Sequence, residues 1–263
     1  MKRSVKGMTV LITGATGGLG RAFARAFADE GANLILTGRS RQQLEELSGA
    51  LRLNRQIRVD TEELDLALPG VPGRLFEKVR EKGLSADILV NNAGFGWCGR
   101  FEASDPARNA ELVTVNVTAL TALARLFLPG MLERKRGGLI QVASTAAFQP
   151  MPYMSLYAAS KAFVLSFTEA LWGEYQPAGL RVLCVCPGHT ETAFHTTAGI
   201  LGREVFLLAS PESAVRTAMK AFLRGSSPTV VCGTRNYLLS LGYRLLPRRW
   251  LVGITRNFFD RRR

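Results

Sequence analysis

Tyr157 and Lys161 are the pair of residues that most directly indicates a reaction. They lie four positions apart, so on a helix their side chains share one face, with the hydroxyl and the ammonium within reach of each other. A phenol has a reference pKa of about 10, and a fixed cation beside it favours the phenolate. The pair therefore indicates a general acid/base, although a tyrosine and a lysine also meet at this spacing by chance on many helices.

A glycine-rich turn near the N-terminus is the second candidate. The strand-like residues 8–12 run into the sequence TGATGGLG at residues 13–20, and an apolar helical pattern that includes Leu19 and Phe23 follows. A strand, a glycine-rich turn and a helix together form the arrangement that holds a dinucleotide pyrophosphate at a helix N-terminus. Glycine permits the tight turn and the close approach of the backbone. An ordinary glycine-rich turn is the alternative.

Six motifs in this order and spacing resemble those of the short-chain dehydrogenase/reductase family, over roughly residues 7 to 232. They are Gly14, Gly18 and Gly20; Asn91-Asn92-Ala93-Gly94; Asn116; Ser144; Tyr157 with Lys161; and Pro187-Gly188-His189-Thr190-Glu191-Thr192. The resemblance implies an NAD(P)-dependent oxidoreductase that acts on a carbonyl or an alcohol group, with Asn116, Ser144, Tyr157 and Lys161 as its catalytic residues.

The resemblance also implies a role for each catalytic residue. Tyr157 would exchange a proton with the substrate oxygen, and Ser144 would hydrogen-bond that oxygen where charge develops. Lys161 would lower the pKa of Tyr157 and hold the nicotinamide ribose. Asn116 would carry a water-linked proton relay to Lys161, or it would hold a kink in its helix; in either case its buried amide needs partners.

The end of the second predicted strand indicates which cofactor binds. The segment Gly38-Arg39-Ser40 has no acidic residue there; a carboxylate would hold the ribose hydroxyl of NAD, whereas an arginine accommodates the 2′-phosphate of NADP. NADP(H) is therefore predicted over NAD(H), with a solvated basic turn as the alternative. The residues expected to bind the cofactor are Gly14, Thr16, Gly18, Leu19, Gly20, Arg39, Asp65, Asn92, Gly94, Tyr157, Lys161, Pro187, Thr190 and Thr192. Asp65 would contact adenine, or it would cap a turn.

Seven strand patterns alternate with helix patterns. They are Val10–Thr13, Asn33–Thr37, Ile57–Val59, Asp87–Asn91, Leu139–Val142, Arg181–Cys186 and Thr229–Cys232. Most are near-continuous apolar runs, which is typical of a parallel sheet covered on both faces. The pattern predicts an α/β fold with a doubly wound parallel seven-stranded sheet of Rossmann type. Residues 1–234 would form one NADP-binding catalytic domain, and residues 235–263 a basic amphipathic helical tail that is not an independent domain.

Large apolar side chains follow the motifs that would surround a substrate. Phe95, Trp97, Met151, Tyr153 and Phe194 are predicted to line the substrate pocket. Such a lining suits a lipophilic ketone or secondary alcohol, with a ketoacyl or steroid compound among the candidates. The alternative is that several of these side chains pack in the core or at a subunit contact.

The C-terminal tail concentrates positive charge. From residue 235 onward the sequence has eight arginines and one acidic residue, Asp260. This segment therefore contributes +7 to the formal net charge of +13 for the chain. The tail could pack on a second subunit or over the pocket, or it could lie on an anionic membrane surface. No nucleic-acid recognition motif accompanies the charge, so no nucleic-acid partner is expected. A homodimer or homotetramer is expected, and no membrane-spanning helix.

The remaining composition narrows the class of protein. The four cysteines lack metal-ligand spacing, so no metal is predicted and nothing indicates an oxidising compartment. The apolar run after Lys6 is too short for a signal peptide, and we expect the chain in the cytoplasm, either free or peripherally bound to a membrane. A nucleotide-binding regulatory or scaffold protein without turnover is the alternative function; the presence of Ser144, Tyr157 and Lys161 favours catalysis.

Overall fold

A seven-stranded parallel sheet forms the centre of the part of the chain that this computed structural model describes, residues 4–53, 55–190 and 209–260. The strands are β1 (Thr9–Ile12), β2 (Asn33–Gly38), β3 (Val59–Glu63), β4 (Ile88–Asn91), β5 (Gly138–Val142), β6 (Arg181–Cys186) and β7 (Thr229–Val231). Their order in the sheet is β3-β2-β1-β4-β5-β6-β7. The predicted fold class is confirmed.

Helices cover both faces of the sheet. Within the described residues they are α1 (Gly18–Asp29), α2 (Arg41–Arg52), α3 (Val71–Glu81), α4 (Pro106–Val113), α5 (Leu120–Glu133), α6 (Ser155–Tyr175), α7 (Pro211–Arg224), α8 (Thr234–Leu245) and α9 (Arg248–Asp260). Alternate residues of β1 point to opposite faces, so Val10 and Ile12 pack in the core beneath α1, whereas Leu11 packs in the core beneath α3 and α5. Burial on both faces explains why the strands read as apolar runs.

The third strand is the one whose predicted position was wrong. The sequence pattern placed it at Ile57–Val59, but it runs over Val59–Glu63. Its pairing with β2 extends from Val59 opposite Leu34 to Glu63 opposite Gly38. It lies at the edge of the sheet and is mostly polar, with Glu62 held by Lys78 and Lys82. An edge strand needs less apolar surface than a central one, so hydrophobicity did not reveal it. The other six strands begin and end within one residue of their predicted bounds.

One long helical run passes through the core. Residues Pro106–Glu133 join α4 to α5 through a π-helical turn, Thr114–Ala119. By length and composition this run could cross a membrane, with a mean hydropathy of 1.6 over its apolar window, contrary to the expectation that no such helix exists. Half of that window is buried, however, and Leu123, Phe127 and Met131 are packed in the core. The run is therefore explained as a core helix.

Asp87 ties the start of β4 to β1 and to the end of α5. Its carboxylate accepts hydrogen bonds from the Thr9 backbone N–H (3.0 Å) and from Arg136 (2.9 Å), and it pairs with Arg134 at 3.3 Å. Burial raises the pKa of Asp87, but the Arg136 and Thr9 hydrogen bonds and the charges of Arg136 and Arg134 outweigh this effect, so the pKa lies below its usual value.

We expect Asp87→Asn to lower the free energy of unfolding at pH 7 by about 1–3 kcal/mol, because it removes charged hydrogen bonds from a buried acceptor. Since the pKa is lowered in the folded state, the contribution is present above the unfolded pKa and is lost as pH falls through the folded pKa. Urea unfolding from pH 7 to acid pH measures it. Glu77→Gln, in an exposed pair with Arg80, is the control and should change stability little. An equal loss in both variants would contradict this account.

Candidate active site

A cavity of about 1120 Å³ opens at the carboxyl ends of the strands. Its walls include the segments that follow β1, β2, β4, β5, β6 and β7. From β1 the chain order runs outward to β2 and β3 on one side of the sheet, and from β4 it runs outward to β7 on the other side. The order therefore reverses between β1 and β4. In an open parallel sheet this crevice is where a dinucleotide binds.

The glycine-rich turn and the Asn-Asn-Ala-Gly segment hold each other in place. The Asn92 side-chain amide donates to the backbone oxygens of Thr13 (2.9 Å) and Gly14 (3.0 Å). The Thr13 hydroxyl in turn accepts from the Asn92 and Ala93 backbone N–H groups, both at 3.0 Å. Gly14 has a φ of +61°, and a Cβ there would lie 3.0 Å from Ala93 Cα. Asn92 therefore supports the turn from behind.

The start of α1 fits a pyrophosphate. Helix α1 begins at Gly18, and no side chain caps its N-terminus. Its first backbone N–H groups therefore lack a side-chain partner, and they lie at the wall of the cavity, where the helix dipole favours an anion. A Cβ on Gly20 would overlap the Gly14 carbonyl, so the sequence needs glycine there for the turn and the helix to pack.

Arg39 lies where the ribose 2′-position of a dinucleotide would be recognised. It is exposed at the cavity wall, and it forms no ion pair with any residue that the structure describes. Arg41, by contrast, is paired with Glu45 at 2.8 Å. The buried Thr37 hydroxyl at the same wall lacks a hydrogen-bond partner within the described part of the chain. Asp65 also lines the cavity, and its carboxylate caps a turn by accepting from the Ala67 N–H at 2.9 Å.

Ser144, Tyr157 and Lys161 come together at the buried end of the cavity. Ser144 follows β5, and the other two residues lie in the first two turns of α6. A hydrogen bond joins the Ser144 and Tyr157 side chains. The Lys161 Nζ donates to the Val142 carbonyl at 2.9 Å and lies 5.8 Å from the centroid of the Tyr157 ring. The structure thus assembles three of the four predicted catalytic side chains.

Burial sets the ionisation of this group. It raises the pKa of Tyr157 to about 12, against a smaller lowering by the Ser144 hydrogen bond. Burial also lowers the pKa of Lys161 to about 8. The predicted lowering of the Tyr157 pKa by Lys161 is not seen in the protein alone, because burial raises that pKa and the Lys161 ammonium donates to the Val142 carbonyl. The phenol is therefore protonated at neutral pH, which is the state that a proton donor needs.

Asn116 lies behind Lys161, in the π-helical turn. It is fully buried; its amide donates to the Phe95 carbonyl and the Ser160 hydroxyl, both at 3.0 Å, and its oxygen accepts from the Phe95 N–H at 3.1 Å. A Cβ on Gly94 would lie 2.9 Å from the Asn116 oxygen and 3.3 Å from the Lys161 Nζ. All of these hydrogen bonds satisfy the Asn116 amide and hold the distorted helical turn, which is one of the two roles expected for Asn116. The other role, a water-linked proton relay to Lys161, stays a prediction.

The predicted substrate residues separate into three groups. Phe95 and Met151 line the cavity. Trp97 and Tyr153 are not among its described lining: Trp97 lies over Gly99, and Tyr153, with a φ of +67°, accepts from the Gly99 N–H at 2.8 Å. The contacts of these two residues therefore shape the loop around Gly99. Phe194, like the predicted cofactor residue Thr192, lies outside the described residues, whereas Pro187 and Thr190 line the cavity.

Several wall residues were not predicted from the sequence. Arg108 and Glu111 of α4 line the cavity as an ion pair (2.8 Å), with the Arg108 guanidinium 4.2 Å above the Phe95 ring. Helices α8 and α9 contribute Arg235, Asn236, Leu239, Tyr243, Ile254 and Thr255. For the residues of α8 and α9, the amphipathic pattern of the tail was the feature of the sequence that could have indicated packing at the cavity. The tail thus packs at the cavity of its own chain, which was one of the alternatives considered for it.

Comparison with known proteins assigns the family. The sequence profile described as short chain dehydrogenase matches residues 8–199. The chain belongs to the short-chain dehydrogenase family. This short-chain dehydrogenase is 31% identical over 219 residues to a very-long-chain 3-oxoacyl-CoA reductase of Anas platyrhynchos, which covers 81% of this chain and 68% of the relative. It is 34% identical over 197 residues to dehydrogenase/reductase SDR family member 7B of Bos taurus, covering 73% of this chain and 61% of the relative.

Solved structures agree with this assignment. A short-chain dehydrogenase from Sphingobium yanoikuyae in complex with NADPH has a TM-score of 0.82 and 31% identity, covering 90% of this chain and 93% of that one. A 7beta-hydroxysteroid dehydrogenase has a TM-score of 0.87 and 25% identity, covering 97% and 98%. The protein is therefore an oxidoreductase with the NAD(P)-binding fold of its family.

Proposed function

We propose that this short-chain dehydrogenase is an NADPH-dependent reductase of lipophilic ketones, and that it oxidises the corresponding secondary alcohols in reverse. The observation that carries the proposal is the hydrogen-bonded Ser144 and Tyr157 pair, with Lys161 beside it, at the end of a large cavity. Apolar side chains such as Phe95, Met151 and Leu239 line that cavity. The 3-oxoacyl-CoA and hydroxysteroid enzymes among the relatives support a ketoacyl-like or steroid-like substrate.

The cofactor would be held by groups already described. The backbone of Gly14, Gly18, Leu19 and Gly20 would bind the pyrophosphate at the start of α1. Thr16 and Arg39 would surround the adenosine ribose, Asp65 the adenine, and Gly94, Pro187 and Thr190 the nicotinamide side; all of these residues line the cavity. When bound, NADPH supplies the hydride that reduces the carbonyl carbon.

The protein's own residues would manage the proton and the charge on oxygen. Tyr157 donates its phenolic proton to the carbonyl oxygen, since its raised pKa keeps it protonated. Ser144 donates a hydrogen bond to the same oxygen as negative charge develops there. The Lys161 ammonium, held by the Val142 carbonyl, then stabilises the phenolate that Tyr157 becomes. Asn116 fixes Phe95 and Ser160 beside this group through its own hydrogen bonds. Reprotonation of Tyr157 completes the cycle.

We expect Arg39→Ala to raise the KM for NADPH about 10–100-fold while the KM for NADH changes little. The guanidinium would lose a charged hydrogen bond of about 1.5–3 kcal/mol to the 2′-phosphate, which NADH lacks. Steady-state kinetics with both nucleotides measure it. Arg41→Ala is the matched control, because Arg41 is already paired with Glu45. Equal changes for NADPH and NADH would show that Arg39 does not bind the phosphate.

The proposed function is tested by titrating the protein with NADPH and NADH, and then by following nicotinamide absorbance with a panel of ketones. Tight NADPH binding with turnover of bulky apolar ketones is the expected result. Binding without turnover of any carbonyl compound would favour a nucleotide-binding regulatory protein. Binding of neither nucleotide would contradict the proposal.

We further propose that the protein acts in the cytoplasm as a homodimer or homotetramer, with residues 1–234 as the catalytic domain and the tail as part of the same folded unit. The four cysteines are free thiols, as in reducing compartments. On α6, Phe163 stacks on Phe167 with ring centroids 5.6 Å apart and remains 40% exposed, which suits a subunit contact. Light scattering after size-exclusion chromatography measures the assembly.

A further inference from the structure

Exposed apolar surface is concentrated on the last two helices. Of the fourteen large apolar side chains that are exposed in the described part of the chain, nine lie between residues 237 and 254. They are Tyr237, Leu238, Leu239, Leu241, Leu245, Leu246, Trp250, Val252 and Ile254, and we call them the tail surface. Single exposed apolar residues are normal on a soluble protein, whereas nine on two consecutive helices indicate an interaction surface.

The tail surface follows helix geometry. Tyr237, Leu241 and Leu245 are spaced by four residues on α8, so they share one exposed face. On α9, Trp250 and Ile254 are also four apart. Two faces of adjacent helices therefore present apolar side chains outward, in addition to the side chains that each helix buries.

Basic side chains accompany the tail surface. Arg235, Arg248, Arg249 and Arg256 are exposed on the same two helices. The sequence from residue 234 to residue 259 contains no aspartate or glutamate, and Asp260 comes only at its end. Apolar residues mixed with arginines, without acidic residues, are typical of a helix that lies in the interface of an anionic membrane.

The two helices are anchored at the cavity. Leu251 is 1% exposed, and the Thr255 hydroxyl donates to the Pro150 carbonyl at 3.1 Å. The Asn236 amide donates to the Cys232 carbonyl at 2.7 Å, and a Cβ on Gly188 would overlap the Asn236 side chain. The tail surface is therefore held against the walls of the candidate active site.

Two residues belong to both the tail surface and the cavity. Leu239 is 46% exposed and Ile254 is 54% exposed, and both line the cavity together with Tyr243. The tail surface and the cavity wall therefore share these two apolar side chains, which offer an apolar path into the cavity. A molecule dissolved in a bilayer could follow this path without crossing water.

A second copy of the chain is a poorer occupant than an anionic membrane. A symmetric contact would bring the same surface of both subunits together, and each tail carries a formal charge of +7. Repulsion between the two tails opposes that contact, whereas acidic lipid headgroups neutralise the charge.

We propose that the tail surface lies in the interface of an anionic membrane and that the ketone enters the cavity directly from the bilayer, past Leu239 and Ile254. The second half of this inference rests on the proposed reductase function. The first half, membrane binding, does not depend on turnover.

Sedimentation with vesicles tests the membrane contact. The full chain should sediment with vesicles of phosphatidylcholine and phosphatidylglycerol in equal amounts, and much less with phosphatidylcholine alone. The double variant Leu245→Glu, Trp250→Glu should bind these vesicles at least about tenfold more weakly than the wild type. Leu53→Glu is the control, because Leu53 is an exposed leucine (68%) outside the tail surface, at the end of α2. No sedimentation, or equal sedimentation of the double variant, would overturn the proposal.

Turnover with two ketones tests the access route. With a long-chain ketone held in the vesicles, the double variant should lose most of the rate, whereas a short water-soluble ketone should be reduced as fast as by the wild type. Equal rates on the vesicle-held ketone would overturn this route. If the double variant instead dissociates an oligomer in light scattering, a second copy occupies the tail surface and the proposal is wrong. Sedimentation without reduction of either ketone would contradict the reductase function and leave the membrane contact standing.

Discussion

Tyr157→Phe is expected to lower kcat for ketone reduction by about 10²–10⁴-fold, the usual contribution of a positioned general acid. The phenol is the group at the end of the cavity that can hand a proton to the substrate oxygen, and its pKa of about 12 keeps that proton in place at neutral pH. NADPH should still bind, because the glycine turn and Arg39 are unchanged. Stopped-flow measurement of hydride transfer, together with an NADPH titration, distinguishes the two effects.

The control for this prediction is Tyr175→Phe at the other end of the same helix, α6. Tyr175 does not line the cavity within the described structure, so its variant should keep wild-type turnover. The fold should survive in both variants, since the Tyr157 ring remains packed with Met154 and Ala158. Retained turnover in Tyr157→Phe would show that another group supplies the proton.

Lys161→Met is expected to abolish turnover and yet raise the free energy of unfolding at pH 7 by about 1–3 kcal/mol. Burial lowers the Lys161 pKa from 10.5 to about 8, so the charged form costs stability in the folded protein. The hydrogen bond to Val142 that methionine cannot make offsets part of the gain. Chemical denaturation of the wild type and the variant measures the difference.

The difference in stability between Lys161→Met and the wild type changes with pH in a definite direction. Between pH 8 and pH 10.5 the unfolded wild type binds more protons at this lysine than the folded protein does, so wild-type stability rises with pH in that window. The advantage of Lys161→Met should therefore shrink as pH rises from about 8 to 10.5. Lys220→Met, at an exposed position on α7, is the control and should change stability little at any pH. A variant less stable than the wild type at pH 7 would contradict the account.

Motif order predicted which distant segments would meet. Gly14 and Asn92 are 78 residues apart, yet they are joined by a hydrogen bond, and Ser144 reaches Tyr157 across the loop between β5 and α6. These residues lie at the ends of parallel strands or at the start of helices that pack on them. Such places coincide at one edge of a parallel sheet, so a prediction of the sheet also predicts the meeting of its motifs.

The sequence was a weaker guide to which side chains line the cavity, because the lining depends on how segments far apart in the chain pack together. Trp97 and Tyr153 have the side-chain chemistry of pocket residues, but in the described part of the chain both contact Gly99 and neither lines the cavity. Leu239 and Ile254 belong to the tail, and only the packing of α8 and α9 brings them to the cavity. Periodicity shows which face of a segment is apolar, but it does not show which other segment that face will contact.

The parallel sheet and the glycine turn at a helix start could be predicted because they follow from local patterns in the sequence. The grouping of Ser144, Tyr157 and Lys161 in one site could be predicted from the order of the motifs that resemble the family. The polar edge strand Val59–Glu63, the raised pKa of Tyr157 and the position of the tail at the cavity became visible in the folded structure. The edge strand forms because it pairs with β2, whereas the pKa and the position of the tail depend on how much water is lost when distant segments pack together. Pairing and burial of this kind are properties of the folded chain.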